Sequence, residues 1–323
     1  MNIKTLLTGC KLLLVLLLSC QTASLKEVSQ FEINHDASDG LYHTLSGVYA
    51  KLNKMKDTSP EIVQLYSLGR SADQQRHIPL VRMSFNPELV LSKYLFVAGT
   101  HGDEASGVEA LVYIMNRMLT LDETTKHRLR RKGVTIYFVP VHNPDGFAAN
   151  QRENGNGVDL NRNFPFGYTQ TESEPETEAL VSLINTINFS ASIFFHSANE
   201  ERYENLVRVP VELGKGQFGP KEEAENPLWR LAYLVKQAGN ELTPLIPWHC
   251  SDEMVDASGI AADWCSSGLM GSAVAHLIQQ PCLNSHPAVT VELCFPKQPM
   301  DAARLQKEKE EALKIVLKVI TEF

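Results

Sequence analysis

Residues 94–107 read YLFVAGTHGDEASG, and the reading of this stretch decides the fold. Residues 94–98 are an apolar run of the kind that forms a buried strand. The run breaks at Gly99 into a polar turn carrying His101 and Glu104, after which Val108, Leu111, Val112 and Met115 recur at helical spacing. An imidazole and a carboxylate three residues apart, on a turn leaving a sheet edge, can grip one metal ion. Zinc accepts this ligand mix, and a catalytic zinc needs three protein ligands and one open position. Two neighbouring ligands do not complete such a site, and an HxxE turn is also the composition of an ordinary surface loop. A third ligand has to come from downstream.

Working outward, residues 42–55 carry Leu45, Val48, Tyr49 and Leu52 at helical spacing and predict an amphipathic helix. Residues 62–69 and 78–85 flank a polar turn like the arms of a hairpin. The basic run RLRRK (128–132) reads as a solvated helix end. VTIYFVPV (134–141) is a dense strand that runs to the turn signal NPDG (143–146). From there to Tyr168 the chain is rich in Asn, Gly and Asp, and a long loop inside a compact domain is usually functional. A helix is expected over 173–187, with Ser173 as N-cap and Glu176 as the capping-box acid. Then come a strand over 191–195 ending at His196, an irregular stretch over 200–225, a helix over 226–240, a buried strand AVTVEL (288–293) and an amphipathic helix over 302–320. Strands alternating with helices imply an α/β sandwich. The expected sheet is mixed and mainly parallel in its centre, with helices on both faces.

The first 24 residues differ in kind. Lys4 and Lys11 precede LLLVLLL (12–18) and then SCQTAS, the order of a secretory signal. The run is too short to span a bilayer. Export is expected, with either cleavage near Ser24 or a lipoprotein-type cleavage leaving an acylated Cys20. Residues 25–323 are read as one catalytic domain, with no separate prodomain. The formal charge of −8 falls to about −10 once residues 1–24 take two lysines and no acid with them. That acidity argues against a nucleic-acid partner. Cys250, Cys265, Cys282 and Cys294 remain, an even number that suggests up to two disulfides in any of three pairings. With no CxxC pair, a structural zinc cluster is not expected.

Three apolar strands therefore end in reactive groups: His101 and Glu104, then His196, then Glu292. Groups at strand ends converge on one edge of an α/β sheet. His196 is the natural third ligand, against the plainer reading of a histidine satisfied at a strand terminus. Glu292 among apolar residues would be costly unless paired or functional.

In order along the chain stand THGDE (100–104), NPDG (143–146), NGNGVDLNRNFP (154–165), SEPETEAL (173–180), FHS (195–197) and TVELCFP (290–296). This series resembles the zinc carboxypeptidases of the M14 type, in particular the N/E-like branch. SEPETEAL is similar to the bacterial murein peptide amidases of the same superfamily. The resemblance spans about 42–323. It implies a carboxypeptidase-like α/β/α sandwich and one Zn2+ per chain, with His101, Glu104 and His196 as ligands. It further implies Glu292 as general base and proton shuttle, and Arg152, nine residues before Asn161, as the group that polarises the scissile carbonyl. Asn161 and Arg162 match the pair that holds the substrate's terminal carboxylate. The resemblance leaves Glu153, Asp159 and Asn163 as scaffolding, and His142 and His249 as ordinary polar residues.

Two departures stand out. The family's mobile tyrosine before the catalytic glutamate has no counterpart in residues 266–282, where His276 lies closest, and the last tyrosine of the chain is Tyr233. With residue 323 soon after the expected C-terminal helix, the β-sandwich appendage of the N/E branch is not expected. The expectation is a secreted or periplasmic monomeric metallocarboxypeptidase acting on peptides with a free C-terminus. The alternatives are an amidase cutting γ-D-glutamyl–diaminopimelate bonds in muropeptides and, from another class, a catalytically silent peptide-binding module on the same fold.

Overall fold

The structure is a computed structural model that describes residues 25–33, 40–164, 172–197, 206–208, 227–241, 249–250, 287–294 and 301–323. Within the stretch 200–225, expected to be irregular, Leu206–Arg208 forms a strand; the rest of that stretch, the expected signal over 1–24 and residues 266–282 lie outside the described residues.

The chain enters through β1 (Lys26–Glu27) and α1 (Leu45–Thr58). Thr44 caps α1 by accepting from the Gly47 N–H, which places the start three residues after Tyr42. The hairpin is present as β2 (Val63–Arg70) and β3 (His77–Ser84), antiparallel. Next come β4 (Ser92–Val97), α2 (Ala105–Leu119), α3 (Glu123–Arg131), which ends in the basic run, and β5 (Val134–Val139).

NPDG is more than a turn. Asn143 accepts from the Gly146 N–H and Pro144 fills the first helical position, so the motif opens a short helix, α4 (Pro144–Ala149). The next helix, α5 (Pro175–Thr186), is N-capped by Glu174, not by Ser173, and Glu174 makes no side-chain cap bond. The expected capping box fails because the Glu176 carboxylate bonds elsewhere, to the Ala72 N–H and to Asn154. β6 (Ala191–His196), β7 (Leu206–Arg208), α6 (Pro227–Asn240), β8 (His249–Cys250), β9 (Ala288–Glu292) and α7 (Ala302–Glu322) complete the order.

These strands form one sheet in the order β1-β2-β3-β5-β4-β6-β9-β7-β8. Its centre, β5-β4-β6-β9, is parallel. The pairings outside it are antiparallel except the short β7–β8 pair. Alternation along the central strands divides two cores. Tyr94, Phe96, Ile136, Phe138, Ile193, Phe195, Val289 and Val291 face the core shared with α1, α2, α6 and α7. Leu95, Val97, Tyr137, Val139 and Phe194 face the core shared with Leu180, Leu183 and Ile184 of α5. Both faces are thus covered, as a parallel sheet requires. Each fully buried Phe or Leu contributes about 1.5–3 kcal/mol, so the strand ends stand on a rigid base.

Cys294 corrects one expectation. It is a buried free thiol whose Sγ lies 2.9 Å from Ser106 Oγ, and so takes no part in a disulfide. Cys265 and Cys282, and the side chain of Cys250, lie outside the described residues.

Candidate metal centre

Parallel strands deliver their carboxyl ends to one edge of the sheet, and that edge holds the candidate residues. β4 ends at Val97, and the chain turns sharply at Gly99 (φ +63°), where a Cβ would sit 3.1 Å from Val108 Cγ2 and 3.2 Å from Val141 Cα. At Gly102 a Cβ would run into the backbone of Gly146 and Phe147, so only glycine lets this turn lie against α4. Glu104 occupies the N-cap position of α2 yet makes no side-chain cap bond; its carboxylate is turned inward.

There His101, Glu104 and His196 meet, all buried, with one ligand atom from each lying within 4.8 Å of the others. His101 Nδ1 is 2.7 Å from Glu104 Oε1, His196 Nδ1 is 3.0 Å from Glu104 Oε2, and the two Nδ1 atoms are 3.2 Å apart. The Ser197 N–H donates to Glu104 Oε2 at 3.1 Å, fixing the carboxylate. Burial opposes ionisation of Glu104, but the two imidazoles reverse this and hold its carboxyl well below the usual range. Burial also works against a charged His101, and Glu104 and Asp159 outweigh it, raising its pKa.

Asp159 is the residue whose part the sequence did not disclose. Its Oδ1 lies 3.2 Å from His101 Nε2, the ring nitrogen turned away from Glu104. A carboxylate on the second nitrogen of a metal-binding histidine fixes the ring and its tautomer. The other oxygen, Oδ2, accepts from Arg152 Nε at 3.0 Å and Nη2 at 2.7 Å. Although burial would raise the Asp159 pKa, His101 and Arg152 depress it strongly. Arg152 Nη1 in turn lies 3.8 Å from Glu104 Oε1. In the sequence the only hint was an Arg and an Asp seven residues apart in a run rich in Asn and Gly.

The remaining expected residues are placed as follows. Glu292 ends β9 and is the register partner of His196, with the Leu293 N–H donating to the His196 carbonyl at 2.9 Å. Asn161 and Arg162 lie in a single 3-10 turn (Leu160–Arg162), whose Asn161 N–H donates to Asp159 Oδ1 at 2.9 Å. Arg162 is exposed and donates from Nη1 to the Asn161 carbonyl. Asn163 is scaffolding as expected: its Oδ1 accepts from the Glu174 N–H and its Nδ2 donates to the Glu172 carbonyl. His142 is fully buried, with Nε2 3.0 Å from the Glu176 carbonyl. Burial pushes its pKa down to about 4. The His249 side chain lies outside the described residues. Two imidazoles, one carboxylate and an orienting second carboxylate form a donor set suited to zinc.

A family model described as zinc carboxypeptidase matches residues 48–203. Carboxypeptidase M of Mus musculus is 30% identical over 177 residues, covering 50% of this chain and 39% of that protein. The catalytic chain of Homo sapiens carboxypeptidase N is 26% identical over 313 residues, covering 83% of this chain and 65% of that protein. The chain thus spans less than two thirds of either relative. Among solved structures, bovine thrombin-activatable fibrinolysis inhibitor in complex with tick carboxypeptidase inhibitor superposes with a TM-score of 0.65 at 21% identity, covering 87% of this chain and 96% of that one. A metallo-carboxypeptidase from Burkholderia cenocepacia superposes with a TM-score of 0.62 at 16% identity, covering 85% and 68%. These superpositions show that the fold is shared.

Proposed function

The chain belongs to the M14 zinc carboxypeptidase family, and from that premise we propose that it hydrolyses the C-terminal peptide bond of peptides. The observation that carries the reading is the buried His101–Glu104–His196 donor set with Glu292 one strand away. Zinc held there supplies Lewis acidity and brings the pKa of a water towards about 7.

The chain's own groups do the rest. Glu292, at the end of β9, takes a proton from the attacking water and hands it to the leaving amine. Arg152 has one edge neutralised by Asp159, while Nη1 lies toward Glu104. Its charge is therefore held where the carbonyl oxygen becomes negative, an interaction worth on the order of 3 kcal/mol in the transition state. Asn161 and Arg162 take the terminal carboxylate, for which a planar guanidinium is suited. Asp159 keeps His101 in one orientation.

SEPETEAL favours a second reading with the same machinery, an amidase acting on muropeptides. The proposal includes export, supported by Lys4, Lys11 and the apolar run 12–18, and a monomeric catalytic domain over 25–323. The deciding experiment incubates purified protein, with zinc or chelator, with C-terminally varied peptides and a muropeptide, and reads products by mass. Loss of single C-terminal residues supports the carboxypeptidase. Cleavage of the muropeptide alone replaces it by the amidase. Zinc binding without any cleavage leaves a peptide-binding module.

A further inference from the structure

Asn154 lies between Arg152 and Asp159 in the loop that carries both, and it is almost wholly buried. Every hydrogen-bonding group it has is in use. Its N–H donates to the Val158 carbonyl at 3.0 Å, and its own carbonyl accepts from the Gly157 N–H at 2.9 Å. Side-chain Oδ1 accepts from the Asn156 and Val158 N–H groups at 3.1 and 3.0 Å. Nδ2 donates to Glu174 Oε2 at 2.8 Å and to Glu176 Oε2 at 3.2 Å. Turning the amide over would set its oxygen against two carboxylates and its NH2 against two N–H donors, so the orientation is fixed.

The two acids are themselves anchored. Glu176 accepts the Ala72 N–H at 3.0 Å from the β2–β3 turn, and its carbonyl lies 3.0 Å from His142 Nε2. Glu174 also accepts from Asn156 Nδ2 at 2.8 Å. Two carboxylates sharing one amide beneath a loop is an expensive way to make a turn, since like charges at close range repel. The turn they hold returns the chain so that Arg152, before it, meets Asp159, after it, in a two-bond clamp.

We propose that Asn154 is a positioning residue of the centre: tied to Glu174 and Glu176, it closes the 154–158 loop so that Asp159 reaches His101 and Arg152 reaches the donor set. This rests on the reading of His101, Glu104 and His196 as zinc ligands, and its kinetic arm rests on the carboxypeptidase reading.

The test is a double-mutant cycle on the full chain, with zinc affinity measured by chelator competition below the unfolding transition, beside kcat and KM for peptide release. Asn154→Ala is expected to weaken zinc binding roughly 10- to 100-fold and to lower kcat more than it raises KM. In an Asp159→Ala background the same change is expected to alter zinc affinity little, because the connection is already cut. A lowered Tm with unchanged zinc affinity and kcat overturns the proposal, as does full additivity with Asp159→Ala. Should Asn154→Ala not fold, Glu174→Gln at the half-buried end of the network reads the same coupling, a few-fold weakening that disappears without Asp159; additivity there overturns it too. If the wild-type protein releases no C-terminal residue, the carboxypeptidase reading fails, and the zinc-affinity cycle still decides this inference.

Discussion

His196 and Glu292 are register partners at the carboxyl ends of adjacent parallel strands, so a zinc-ligand candidate and a proton-transfer candidate share one rung of the sheet. Phe195 and Val291, one residue earlier on each strand, face the opposite side into the larger core. This arrangement separates the two roles by mutation. Glu292→Gln is expected to lower kcat/KM by about 10²- to 10⁴-fold while zinc content stays at that of wild type. Metal analysis beside peptide kinetics checks it; a parallel loss of zinc would show Glu292 to be a ligand instead.

Zinc stabilises the folded chain only if the three donors hold it. A ligand present at 100 times its dissociation constant adds about 2.7 kcal/mol. Thermal unfolding of the wild-type protein is expected to move up with zinc and down with chelator. In His196→Ala the chelator-induced shift is expected to vanish, together with activity. An undiminished shift in that variant would place the ion elsewhere.

Gly102 is set by contact, not by backbone conformation. Any side chain there meets the Gly146–Phe147 backbone, which cannot yield as a flexible side chain would. Gly102→Ala should therefore cost about 3 kcal/mol, the upper part of the range for overpacking. It should also displace the neighbouring His101. Urea unfolding gives the first quantity and zinc affinity the second; a variant with wild-type stability would mean that α4 can move aside.

His142 makes stability depend on pH. Its folded pKa, about 4, lies below the ordinary 6.5 because the ring is buried. The neutral ring is favoured in the fold, so its contribution is complete above pH 6.5 and is lost as pH falls toward 4. Between pH 7 and pH 5 the loss from this group is about 2 kcal/mol. His142→Gln should keep a donor for the Glu176 carbonyl and remove that part of the slope. Unfolding free energies at the two pH values, compared between wild type and variant, test it; identical slopes would refute it.

The parts of this molecule legible in its sequence are those with a local cause. Alternating apolar strands, the His101–Glu104 spacing and His196 at the end of an apolar run follow from periodicity and residue chemistry, and the structure gathers those three donors. The rest depended on partners distant along the chain. Ser173 looked like a cap until Glu176 was engaged by Ala72 and Asn154. Asp159 looked like loop scaffolding because nothing near it in sequence shows His101 across 58 residues. Cys294 counted toward an even set of cysteines, but its burial against Ser106 is a property of packing.

The order of the segments also sets a timetable. All three donors have been synthesised once residue 196 has left the ribosome, whereas β9, which must slide in beside β6, comes almost a hundred residues later. A growing chain thus acquires the means to capture a metal ion well before it owns the carboxylate that would make the captured ion hydrolytic.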